Sequence, residues 1–178
     1  MQKQTTAGDF RTGQHRHGYV VRRVDPLETI SCRMITLEHE LTGARHIHIA
    51  APDAENTFGV VLKTIPEDST GVAHILEHTV LCGSRRYPVR DPFFSMLKRS
   101  LSTFMNAFTA SDWTMYPFCT QNRKDYYNLL DVYLDAVFFP RLDKLSFHQE
   151  GHRLALQEGD GGLLAAVLEG EEGEVRVA

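Results

Sequence analysis

The stretch Gly71–Gly83, "GVAHILEHTVLCG", decides how this chain is read. Its apolar residues Val72, Ala73, Ile75, Leu76, Val80 and Leu81 recur with the spacing of an amphipathic helix. Ser69 or Thr70 stands where a cap is expected, and Gly83 where a left-handed stop is expected. On an α-helix, residues four apart lie about 40° apart around the axis and residues three apart about 60°. His74 and His78 therefore project from one face, one turn apart, with Glu77 at the edge of that face. Two imidazoles so placed can bind one Zn²⁺ at about 2.0–2.1 Å. Glu77 is then placed to take a proton from the attacking water as general base. The competing reading is an ordinary amphipathic helix whose histidines make satisfied hydrogen bonds. Three polar residues within the most apolar helix candidate weigh against it, because burying them without a metal is costly.

The flanking sequence predicts an α+β fold, an antiparallel sheet packed by helices. Upstream, "GYVVRRVDPL", "ETISCRMITLEHELTG", "ARHIHIAAPDAE" and "NTFGVVLKTIPED" read as four strands of one small sheet. The links are too short for parallel crossovers. Downstream, Asp91 and Pro92 open a second short helix, "PFFSMLKRSL". "STFMNAFTASDWTMYPFCT" reads as a hairpin around "ASD". "QNRKDYYNLLDVYLDAVFFP" is a helix with one apolar stripe, Tyr126, Leu129, Leu130, Tyr133, Leu134 and Val137, stopped by Pro140. "LDKLSFHQEGHRLALQE" predicts a further helix, weakened at Gly151.

Composition bounds the function. A 178-residue chain with 42% apolar and 24% charged residues is that of a soluble globular protein. A net charge of -4 argues against a nucleic-acid partner. Three cysteines without C-x-x-C spacing point to a reducing compartment rather than a disulfide scaffold. The N-terminus has no apolar h-region, and no apolar run approaches the roughly 18 residues of a membrane span. The expectation is a cytoplasmic protein with no membrane partner. Residues 1–17 are polar and expected to be loose, residues 18–156 form the domain, and residues 157–178 are a Gly-rich acidic tail. That tail holds six acids against one base, Arg176, and is expected to be partly disordered.

H-x-x-E-H is the mirror order of the zincin motif and is the inverzincin signature. The likeness extends well beyond it. Residues 74–140, "HILEHTVLCGSRRYPVRDPFFSMLKRSLSTFMNAFTASDWTMYPFCTQNRKDYYNLLDVYLDAVFFP", resemble the pitrilysin-type (M16) metallopeptidases, and among them the presequence-protease branch. "FHQEGHRL", residues 147–154, also matches that pattern. The resemblance implies an M16-type N-terminal domain, zinc, and cleavage of short or unfolded peptides. It implies that His74 and His78 bind the metal and that Glu77 is catalytic. It also gives Asn106, Ala107 and Phe108 the role of an edge strand that pairs with the substrate backbone.

Two departures accompany the resemblance. Family members are much longer chains whose homologous domains close around the peptide, so the remainder of an M16 peptidase is the expected partner for activity. The family's third ligand is a glutamate in a stretch like "V-V-x-N-E-M-K-G", and nothing after Leu154 reads that way. Two expectations stay open: Glu174, at a similar distance from His78 but in different surroundings, is a divergent third ligand, or the sequence after Leu154 is truncated or frame-shifted. The alternative function is a non-catalytic M16-fold module that binds proteins. Among rival sites, His148 and His152 are four apart, but Glu150, two after His148, is expected to point off their face. Cys82, one turn beyond His78, is expected to be a small buried hydrophobe rather than a ligand.

Overall fold

The computed structural model describes residues 10–68, 70–151, 153–156 and 164–167. The chain divides into two compact units, residues 1–54 and 55–178.

The first unit is an antiparallel meander. Strands β1 (His15–Arg16), β2 (Tyr19–Leu27), β3 (Cys32–His39) and β4 (Arg45–Ala50) lie in sequence order. His17 and Gly18 both have positive φ, as a two-residue hairpin turn requires. Side chains alternate across a strand, so Ile35 and Leu37 fall on one face, where they pack with Val21, Phe10, Tyr19 and Val24. Gly13 and Gln14, ahead of β1, are bonded to β2. The amide of Gly13 bonds the Val21 carbonyl at 2.8 Å, and the Val21 amide bonds the Gln14 carbonyl at 2.9 Å.

The second unit carries the motif. Strand β5 (Asn56–Lys63) was expected in the upstream sheet. It instead pairs along its whole length with β8 (Trp113–Thr120), from Asn56 opposite Thr120 to Lys63 opposite Trp113. Alternation identifies a strand but not its neighbour, and β8 offers a better apolar match: Phe58 stands opposite Phe118. Strands β6 (Ser102–Met105) and β7 (Phe108–Thr109) pair with the other side of β8.

Among the described residues of this unit are four helices: α1 (Val72–Val80), α2 (Pro92–Arg99), α3 (Arg123–Phe138) and α4 (Lys144–Gly151). Helix α3 is fixed at its start by Asn122, whose side chain accepts from the amides of Lys124 and Asp125, each at 3.0 Å. Its packed face holds the expected Tyr126, Leu129, Leu130, Tyr133 and Val137, with Ala136 in it and Leu134 outside the cluster. Leu129, Tyr133 and Ala136 are buried against Phe118, Tyr116, Met105 and Val80, with Tyr126, Leu130 and Val137 alongside.

Helix α1 lacks the expected caps. Thr70 turns its hydroxyl to Asp68 at 2.5 Å, Ser69 lies outside the described residues, and Gly71 in a left-handed conformation holds the cap position. At the other end α1 stops at Val80, before Gly83. Gly83 has φ +149°, and a Cβ there would sit 3.0 Å from the Val89 carbonyl oxygen, so close approach rather than a helix stop requires glycine. Asp91 does cap α2, but with its carbonyl, which accepts from the Ser95 amide at 3.2 Å, and without a side-chain bond.

The loop between α1 and α2 is tied to α3. The Arg86 amide donates to Asp135 at 2.7 Å, the Arg86 guanidinium pairs with Asp131, and the Tyr87 hydroxyl donates to Asp131 at 2.6 Å. The Tyr87 hydrogen bond, then the Arg86 bond, hold the Asp131 carboxyl below its usual pKa. Helix α4 ends at Gly151 rather than continuing. Arg153–Leu156 is strand β9, paired with β10 (Leu164–Val167) inside the tail that was expected to be disordered. The apolar runs "RLAL" and "LLAAV" around a glycine-rich "EGDGG" are hairpin signals in retrospect.

Candidate active site

Helix α1 does what its spacing predicts. The Nε2 atoms of His74 and His78 converge to 3.1 Å, with the rings 4.8 Å apart and near perpendicular. Two nitrogens on a tetrahedral zinc at about 2.0–2.1 Å lie about 3.3 Å apart, so the pair fits two positions of that geometry. Among the described residues no group of three His, Cys, Asp or Glu side chains is placed to hold a metal. Glu174 lies outside the described residues.

Glu77 is buried at 7% exposure, while His78 beside it is exposed. A buried carboxylate needs a donor. Thr109 on β7 supplies one, its hydroxyl donating to Glu77 Oε2 at 2.5 Å. Behind it stand Thr114, 3.4 Å from the Thr109 hydroxyl, and Thr64, 2.8 Å from that of Thr114. Tyr116 lies close by; burial first, and then the charge of Glu77, push its phenol pKa up. The carboxylate is thus held on one side by the sheet, which leaves it oriented rather than free. Replacing Thr109 with valine should strand a buried carboxylate oxygen and cost about 1–3 kcal/mol. Urea unfolding measures this, with Thr109→Ser, which keeps the donor, expected near wild type.

The expected edge strand is only partly a strand. Phe108 lies in β7, but Asn106 and Ala107 interrupt it between β6 and β7. The Asn106 amide still bonds the Pro117 carbonyl of β8 at 3.2 Å, but the Ala107 amide is taken by the Asn106 side chain at 2.9 Å and the Asn106 carbonyl by the Tyr133 hydroxyl at 3.4 Å. The outer side of β6 and β7 has no partner strand among the described residues. Phe104 and Phe108 stack there at 6.2 Å, both well exposed.

Glu150 is directed to α1: its Oε2 lies 3.0 Å from His78 Nδ1, a partner that spacing on its own helix does not reveal. Sequence reasoning set Glu150 aside and did not weigh Thr109; the stretches "FHQEGHRL" and "NAFTASD" were the available signals. Of the rival His148–His152 pair, His148 is exposed and His152 lies outside the described residues. Cys82 makes a long 3.4 Å bond to the His78 carbonyl. Burial first, then the charges of Asp91 and Glu150, push its thiol up to about 11. Of the histidine pair, His78 is exposed and His74 half-buried.

Comparison with known proteins gives the family. Residues 65–159 match the family described as insulinase (peptidase family M16). The chain is 61% identical over 145 residues to a mitochondrial presequence protease of Xenopus tropicalis, covering 82% of this chain and 14% of that relative. It is 59% identical to the mitochondrial presequence protease of Mus musculus over the same share of each. The chain thus spans about 14% of the length of these relatives. Among solved structures it resembles pitrilysin, with a TM-score of 0.60 and 25% identity over 79% of this chain and 15% of that one. The relatives overturn the cytoplasmic expectation, since they are named mitochondrial. A missing h-region excludes a secretory signal, but mitochondrial addresses are amphipathic and Arg-rich, so that test does not reach them. No described helix is long and apolar enough to cross a membrane.

Proposed function

The chain belongs to the insulinase family of peptidases, family M16, and on that premise we propose that it carries the zinc-binding and proton-transferring part of a presequence-protease-type endopeptidase. The observation that carries this reading is the convergence of His74 Nε2 and His78 Nε2 at 3.1 Å beside a buried, oriented Glu77. His74 and His78 hold the metal, with a further ligand from outside the described residues. Zinc bound there supplies a Lewis acid that acidifies water and polarises the scissile carbonyl. Glu77 takes the proton from the attacking water and returns it to the leaving amine.

The substrate class is short or unfolded peptide. An extended backbone adds to the open edge at Phe108, guided by the break at Asn106 and Ala107, and main-chain bonding makes the affinity tolerant of sequence. Thr109 links that edge to the catalytic carboxylate, since it lies in β7, opposite Thr114 of β8, and donates to Glu77. The compartment we infer from the relatives is the mitochondrion. The second reading, a non-catalytic protein-binding module, draws on the lack of a third converging ligand among the described residues.

Zinc titration separates the two. Two ligands predict an affinity on the order of micromolar or weaker, lost in His74→Ala and in His78→Ala. Wild type that binds zinc no better than these variants would favour the binding module. Tight zinc that survives dialysis would show that a third ligand exists in this chain, and Glu174→Gln would test that residue.

A further inference from the structure

We infer that Glu150 is a positioning residue for His78: its carboxylate selects the Nδ1–H tautomer and so turns the Nε2 lone pair toward the metal position. A neutral imidazole carries one N–H, and the hydrogen bond made at one nitrogen decides which nitrogen is left as ligand. Glu150 Oε2 lies 3.0 Å from His78 Nδ1 and is an acceptor, so Nδ1 carries the proton. The Nε2 left without a proton is the atom that faces His74 Nε2 at 3.1 Å. A metal-bound histidine commonly has such a carboxylate behind it.

The arrangement is built rather than incidental. The Gln149 amide donates to Glu150 Oε1 at 2.9 Å, which fixes the second carboxylate oxygen. Gln149 is itself held by Arg90, whose guanidinium donates to its Oε1 at 2.7 Å. A line of bonds therefore runs from the loop after α1, through the end of α4, back to α1. The end of α4 lies against α1 at Gly151: a Cβ there would meet Ile75, one turn before His78, at 3.6 Å, an ordinary contact distance. Glu150 is half-buried, with its side chain at 23% exposure against 43% for His78, so water competes only in part for the bond.

The inference rests on the zinc reading for its purpose, but the tautomer is measurable without metal. Two measurements on the full chain decide it: ¹⁵N NMR of the imidazoles in the metal-free protein, and zinc affinity by competition with a chromophoric chelator. Wild type should show His78 as the Nδ1–H tautomer. Glu150→Ala should lose that preference and bind zinc about 10–100-fold more weakly. Glu150→Gln, whose amide oxygen still accepts from Nδ1–H, should keep the tautomer and most of the affinity. That rescue would not be expected if Glu150 only packed the helix. An unchanged His78 tautomer in Glu150→Ala overturns the inference. So does Glu150→Gln losing zinc as completely as His78→Ala, which would make Glu150 a ligand. If wild type takes up no zinc at the histidine pair, the zinc reading fails, while the tautomer shift still decides the role of Glu150.

Discussion

Peptide cleavage should fall by about 10²–10⁴-fold when Glu77 becomes glutamine, the range by which a positioned general base contributes, while zinc uptake stays within about threefold. The two effects separate because Glu77 bonds Thr109 across to the sheet, while the converging nitrogens belong to His74 and His78. Glutamine is close in shape and its amide oxygen still accepts from Thr109, so the fold and the metal position are retained. What is lost is a group able to take a proton from water. The comparison belongs in a system where cleavage occurs. The chain spans about 14% of its relatives' length, and orientation of the peptide is a large part of peptide hydrolysis. We therefore expect negligible cleavage of an unstructured peptide by this chain alone. Chelator-sensitive cleavage is expected once the later domains of an M16 peptidase are supplied as a separate polypeptide. If Glu77→Gln cleaves as fast as wild type in that mixture, Glu77 is not the base. Chelator-sensitive cleavage by the lone chain that disappears in Glu77→Gln would overturn the need for the later domains.

How much of this was legible depends on whether the cause was local. The helix of His74, Glu77 and His78 was, because a period of 3.6 is written in consecutive residues. So was the stripe of α3 from Tyr126 to Val137. Strand β5 was legible as a strand but not as a partner of β8, since alternation carries no address and Asn56 and Thr120 are far apart in sequence. Glu150 was missed for the same reason. Judged against His148 on its own helix it looks misplaced, while its partner His78 is 72 residues away. Asn106 and Ala107 were assigned to a strand by resemblance, yet the side-chain bond from Asn106 to its neighbour's amide breaks the ladder there. Short polar side chains competing with the backbone are a local cause, but whether they prevail depends on the ladder around them. The caps of α1 failed differently: Thr70 had a nearer partner in Asp68. Localisation failed because the sequence test applied to the N-terminus addressed secretion only.

The largest stability effect should come from Phe118→Ala. Phe118 is fully buried in the middle of β8, with Phe58, Tyr126 and Tyr133 at ring separations of 5.6, 5.4 and 5.2 Å. Truncating a buried phenylalanine costs about 3–5 kcal/mol through lost transfer energy and the cavity left behind. Domains of this size are commonly stable by about 5–15 kcal/mol in total, so one substitution removes much of what holds the unit together. The consequence reaches the site through the strand itself. Phe118 pairs with Phe58 on β5 and Met105 on β6, and further along the same strand Thr114 stands behind the Thr109–Glu77 bond. Urea unfolding should show a midpoint shift corresponding to about 3–5 kcal/mol, and zinc uptake should be lost at urea concentrations where wild type retains it. Val61→Ala on β5 is the control: Val61 is 60% exposed and should change stability by no more than about 0.5 kcal/mol. A Phe118→Ala chain that unfolds within about 1 kcal/mol of wild type would mean that the aromatic cluster does not anchor this sheet. The orientation of Glu77 would then need another support.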